Sequence, residues 1–194
     1  MTGHLPCGCG VDVHAHVIPH DFPAYLGCAS PAGWPSMAPA HACHRHVMID
    51  GKNYRTVSDK CWSTTKRLAD FDAMGLGLQA ISPMPELLSY WLAPADGGQL
   101  VRYLNEQIAL MVSESAGRLV GLGAVPLQDM DLALKELNHM RHSLGLGMRQ
   151  SGIDDFLGRG QIQNGHSELL MNWMRVKRFG PSLGNPAEFI QSII

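Results

Sequence analysis

The chain has 194 residues, 45% of them hydrophobic and 16% charged. That balance excludes a disordered chain and suits a single folded domain with a real core. Fifteen Lys and Arg stand against 17 Asp and Glu, a formal net charge of −2, so no strong field is available to grip nucleic acid or an anionic membrane.

No apolar run approaches the ~18 residues of a spanning helix. The first ten residues hold neither Lys nor Arg and no apolar stretch, so no secretory leader is expected. Five cysteines make an odd number for a disulfide framework. The reading is a reduced, cytoplasmic protein.

Residues 11–16 alternate β-branched and polar side chains, a strand pattern that Pro19 stops. Residues 20–45, with Pro23, Pro31, Pro35 and Pro39, read as a long loop. Residues 46–57 read as a hairpin turning at Asp50-Gly51. A helix is predicted over 63–74, with Ser63 as cap and Gly75 as terminator. A short strand follows over 78–81.

Residues 98–116 form a long helix pattern through Leu100, Leu104, Ile108 and Met111. Residues 119–125 read as a buried strand, and 129–144 as a helix with Leu132, Leu134, Leu137 and Met140 apolar. Strand and helix therefore alternate from 11 to 144, which argues for α/β architecture with parallel strands joined by crossover helices.

An α/β pattern next calls for another buried strand, but residues 147–152 are polar and broken by glycine. Beyond them one helix is predicted over 167–178, and Asn185-Pro186-Ala187-Glu188 has the spacing of a helix start.

His14 and His16 are the sharpest chemical feature. Two residues apart on a strand, they face the same way. Adjacent neutral imidazoles can chelate one divalent metal, and zinc suits nitrogen ligands. If the strand ends there, the pair lies at its C-terminal end, where barrel active sites form.

His41, Cys43, His44 and His46, with Cys7, Cys9 and Cys28 upstream, raise a structural zinc site; the competing reading is a polar loop with incidental thiols and imidazoles. Glu86 follows a predicted strand end and either faces a pocket or supports a helix N-terminus. Tyr90 and Trp91 line the same mouth or pack. Gly121 and Gly123 lack the third glycine of a dinucleotide fingerprint.

The run Val11-Asp12-Val13-His14-Ala15-His16-Val17-Ile18-Pro19 resembles the first strand of the amidohydrolase superfamily, in the branch that includes aminocarboxymuconate-semialdehyde decarboxylase. Three more segments resemble that branch in the same order. Gly51-Lys52-Asn53-Tyr54-Arg55-Thr56-Val57 looks like its substrate-facing hairpin. Residues 67–75, followed by Ser82-Pro83-Met84-Pro85, look like its first helix and second strand end. Residues 121–129 look like its third strand and loop. The match covers about residues 11–146.

The resemblance implies a metal-dependent (β/α)₈ TIM barrel holding one divalent metal, zinc, with His14 and His16 as ligands. It implies Arg55 as the contact for a substrate carboxylate, since a guanidinium fork can bind both oxygens. It implies a carboxy-lyase acting on a small carboxylated molecule, with no nucleic-acid or membrane partner, and leaves room for a homo-oligomer. A hydrolase of the same superfamily, or a non-catalytic metal-binding or assembly fragment, are the alternatives.

The family's further ligands, a histidine and an aspartate from later strands, have no match; His166, Asp154 and Asp155 are the nearest residues of those types. A full barrel needs about 250 residues. The expectation is an incomplete barrel: its N-terminal half over 1–146, with an inserted hairpin, and a mostly helical or irregular tail over 147–194 produced by a frameshift or truncation and little active by itself; the alternative is a divergent member of the family with a rewired second half.

Overall fold

In the computed structural model, which describes residues 10–27 and 30–148, the alternation of strand and helix organises two sheets. The first strand, β1, runs Gly10–Val17. It is followed by β2 (Ser36–Pro39), β3 (His44–Ile49) and β4 (Lys52–Ser58). Then come α1 (Thr64–Met74), β5 (Leu76–Pro83), α2 (Pro94–Glu114), β6 (Leu119–Gly123), α3 (Met130–His139) and β7 (Gly147–Met148).

β1, β5, β6 and β7 form one sheet in that order, each pair parallel, with a helix ahead of each strand after the first. A sequential parallel order is the order found in (β/α)₈ barrels. β2, β3 and β4 form a separate antiparallel sheet.

Local chemistry explains the element ends. Ser63 accepts from the Lys66 N–H and starts α1, and Gly75, at φ 70°, ends it in the left-handed region. Asp50 and Gly51 both have positive φ, 52° and 70°, which a tight two-residue hairpin turn requires. The Asp129 carboxylate accepts from the Leu132 N–H at 2.9 Å and caps α3.

The structure corrects four expectations. Residues 36–39 are not loop: they form β2, and the predicted hairpin is the inner part of a three-stranded sheet. Prolines at 35 and 39 mask that strand in sequence, yet an edge strand tolerates proline. α2 begins at Pro94 rather than 98, because proline at the first helical position sacrifices no hydrogen bond. The predicted helix over 129–144 splits, with Met140–Leu144 wound as a π-turn after α3.

Finally, Gly147 and Met148 do pair with Leu122 and Gly123 as a parallel strand, where the polarity of 147–152 argued against one. Backbone pairing does not need apolar side chains. The helices and polar groups predicted beyond residue 148, with His166, Asp154 and Asp155, lie outside the described residues, as do Cys7, Cys9 and Cys28.

The main core joins the two sheets. Val47 and Val57 of the small sheet pack with Ile18, Met84, Leu87, Leu92, Leu100 and Leu104. Gly121 and Gly123 are packing glycines: a Cβ at Gly121 would sit 2.4 Å from Leu146, and one at Gly123 would sit 2.5 Å from Met140.

A buried polar network ties α2 to β6 and α3. The Asn105 amide donates to the Ala124 carbonyl at 2.9 Å and to Glu136 at 2.7 Å, and accepts from the Ala124 N–H at 2.8 Å. Arg102 donates to the other Glu136 oxygen. Replacing Asn105 by alanine strands all three groups, so Asn105→Ala is expected to lower unfolding free energy by about 2–4 kcal/mol. Urea denaturation checks this; a loss under ~0.5 kcal/mol would show that the network carries no stability.

Candidate active site

The strand alternation of β1 brings His14 and His16 together. Their rings lie 4.8 Å apart, nearly perpendicular, near the C-terminal end of the strand. His14 is exposed and His16 half-buried. His16 Nδ1 is 3.1 Å from Ser82 Oγ, and Ser82 is its register partner on β5. A hydrogen bond of this kind orients an imidazole and sets its tautomer. Two such rings are suited to part of a divalent-metal shell. Among the described residues, no group of three or more His, Cys, Asp or Glu is arranged around one metal position.

The backbone beneath the pair is held from behind. Arg67 of α1 is buried, and its guanidinium donates to the His16 carbonyl at 3.1 Å, the Lys60 carbonyl at 3.0 Å and Gln79 Oε1 at 2.6 Å. Gln79 in turn donates to Asp12 at 2.6 Å, and the second Asp12 oxygen accepts from the His14 N–H at 3.0 Å. The His14 N–H holds the Asp12 carboxyl below its ordinary range; desolvation opposes this, and Gln79 adds to it. Burial pushes the Arg67 guanidinium down from its usual value, though an arginine keeps its proton.

The small sheet delivers a second group of side chains to the same strand ends. Tyr54 and Arg55 project from β4 toward Glu86, in the turn after β5. The Tyr54 hydroxyl donates to Glu86 Oε1 at 2.7 Å, and Arg55 Nη2 lies 3.7 Å from the same oxygen. Burial raises the Glu86 carboxyl, but the Tyr54 hydroxyl, a backbone N–H, Arg55 and His16 outweigh it and hold it below its ordinary value. Glu86 therefore senses both the guanidinium and the nearer imidazole.

With this geometry in view, the relatives are informative. No family model matches the chain. A 2-amino-3-carboxymuconate-6-semialdehyde decarboxylase from Dictyostelium discoideum is 33% identical over 142 residues, 73% of this chain and 40% of the relative. Its namesake from Caenorhabditis elegans is 31% identical over 125 residues, 64% of this chain and 31% of the relative. Over the matched segment these relatives support a likeness to the aminocarboxymuconate-semialdehyde decarboxylase-like branch of the amidohydrolase superfamily.

The chain thus spans well under half the length of either relative. The crystal structure of Metarhizium anisopliae IDCase in apo form overlays with a TM-score of 0.52 at 18% identity, covering 73% of this chain and 42% of that one, a likeness of fold.

Not every residue singled out in the sequence gathers here. The loop cluster lies elsewhere, beside a cavity of about 670 Å³ lined by His41, Cys43, His44, Asp59 and Lys66, which holds none of His14, His16 and Arg55. His41 and His44 stack at 4.3 Å, and Cys43 Sγ is 3.3 Å from His44 Nδ1. His46 turns away to Thr56 and Asn53. Among the described residues no three of these groups are arranged around one metal position, and Cys7, Cys9 and Cys28, the other members of that reading, lie outside the described residues.

Tyr90 packs against the Leu88, Val101 and Ala124 cluster, and the Trp91 ring lies against Gly33. Glu86 pairs with Tyr54 and lies near Arg55. The residues that sequence reasoning passed over are Arg67 and Gln79. Their signal is positional: Arg67 falls on the buried stripe Thr64, Arg67, Phe71 of α1, where a charged side chain needs an explanation.

Proposed function

We propose that the chain carries the metal-binding and carboxylate-binding portion of a metal-dependent carboxy-lyase acting on a small carboxylated substrate. The observation that carries this reading is the His14–His16 pair near the C-terminal end of β1, together with Arg55, which a separate sheet brings to 3.7 Å from Glu86 in the turn after β5. The names of the two relatives support decarboxylation over hydrolysis.

The imidazole pair fits a divalent cation, and zinc suits nitrogen donors. His14 and His16 would hold it, and it would offset negative charge on the reacting substrate. Arg55 binds the carboxylate that stays or leaves, and Ser82 fixes the ring of His16. Loss of carbon dioxide leaves an electron pair on the substrate carbon, which then takes a proton.

The same proposal includes a half-barrel ending near residue 146, with the first residues of β7 beyond it, and a cytoplasmic setting. β1 pairs with one neighbour among the described residues, and Val11 and Val13 on it are 59% and 74% exposed, as expected where a further strand and helix would lie.

The test is a titration of the zinc-loaded chain with small aromatic carboxylates, together with carbon dioxide release. Arg55→Ala is expected to weaken carboxylate binding by about 10- to 100-fold, the worth of one charge-assisted contact. Unchanged binding would remove Arg55 from the site, and ester or lactone cleavage without carbon dioxide would favour a hydrolase.

A further inference from the structure

The turn ahead of β3 holds a pair of side chains that the proposed reaction does not use. Cys43 is an exposed free thiol on the wall of the cavity of about 670 Å³, and its Sγ lies 3.3 Å from His44 Nδ1. A thiol within hydrogen-bond reach of an imidazole is the arrangement that makes cysteine a nucleophile, because the ring can take the proton as the sulfur attacks. A cavity of this size admits a small organic molecule.

The pair stands on fixed backbone. The His44 N–H donates to the His41 carbonyl at 2.7 Å and closes the tight turn between β2 and β3. The Asp59 N–H donates to the Cys43 carbonyl at 2.8 Å and ties that turn to the segment after β4. The charged groups around the pair are engaged with one another. Lys66 of α1 pairs with Asp59, Arg45 and His20 pair with Asp21, and Glu114 of α2 accepts from Thr64. The His41 ring lies against that of His44, at 4.3 Å. His44 is the base that stands within hydrogen-bond distance of the sulfur. Cys61, by contrast, is half-buried, and burial pushes its thiol up.

We propose that Cys43 is a thiol-exchange site that takes small disulfides from this cavity, with His44 as its base. His44 Nδ1, in the tautomer that carries its proton on Nε2, accepts the thiol proton. Sγ bonds to one sulfur of the disulfide as the S–S bond breaks. The departing sulfur leaves with the electron pair and takes the proton from His44. The products are a mixed disulfide on Cys43 and one small free thiol. The cavity holds none of His14, His16 and Arg55, so exchange there is independent of the carboxy-lyase reading.

The full chain is incubated with 2-hydroxyethyl disulfide and a metal chelator, and peptide mass spectrometry follows each cysteine separately. At pH ~7 Cys43 is expected to form the adduct about tenfold faster than Cys61 and about fivefold faster than N-acetylcysteine, an exposed thiol with no base beside it. His44→Ala should slow Cys43 about fivefold at pH ~7 and less than about twofold at pH ~9.5, where a thiol ionises without a base. That split distinguishes a base from a residue that only shapes the turn. His44→Asn repeats the measurement where melting shows that the alanine variant does not fold. Adduct formation at Cys43 no faster than at N-acetylcysteine overturns the proposal, as does slowing by the substitution that is absent or equal at both pH values.

Discussion

Arg67→Ala is expected to destabilise the protein by about 3–5 kcal/mol and to lower the melting temperature by roughly 10 °C or more. The substitution removes the guanidinium donors from three acceptors: the His16 and Lys60 carbonyls and Gln79 Oε1. It also empties the volume of a buried side chain. Gln79 would then hold Asp12 without a cation behind it.

Arg67→Lys keeps the charge but offers a single nitrogen, which cannot span two carbonyls and an amide in one fork. It should fall between the two. Thermal melting orders the three proteins. A lysine variant as stable as wild type would mean that the charge alone matters and the fork does not. Because the guanidinium holds the His16 carbonyl, both variants should also weaken zinc binding by about 10- to 100-fold, the usual effect of losing an outer support of a metal ligand.

Alanine at both His14 and His16 should have the opposite profile. His14 is exposed and His16 half-buried, so stability should change by no more than ~1 kcal/mol, mostly from the His16–Ser82 hydrogen bond. Zinc affinity should fall more than 100-fold, beyond the loss from an outer partner, because the nitrogen donors themselves are gone.

Equilibrium dialysis against zinc, followed by metal analysis, reads this directly. Retention of zinc by the doubly substituted chain at wild-type affinity would locate the metal elsewhere. Together the two experiments separate residues that hold a cation from residues that hold the strand carrying it.

The sequence made much of this legible. The strand alternation that puts His14 and His16 on one face follows from a period of two. The Asp50-Gly51 turn and the Ser63 and Gly75 boundaries of α1 follow from local backbone chemistry. Arg55 is identifiable through its segment, although nothing local predicts that β4 would carry it to Glu86, since that meeting depends on packing between two sheets.

The misses share one cause. β2 and β7 are defined by the strand they pair with rather than by their own side chains, so Ser36–Pro39 and Gly147–Met148 give no periodic signal. Arg67 and Gln79 escape for a related reason. A lone arginine in a helix and a lone glutamine in a strand look like solvent-facing residues until the register of β1 on β5 sets Asp12 opposite Gln79.

The two halves of the site stand on different foundations. The imidazoles belong to the parallel sheet, while the guanidinium belongs to the three-stranded sheet and lies 3.7 Å from Glu86, in the turn after β5. Inheritance can act on each separately. On the proposed reading, changes along β3 and β4 would alter which anion is welcomed without moving the strand that bears the imidazoles, so new substrate ranges would be open to descendants that leave that strand as it is.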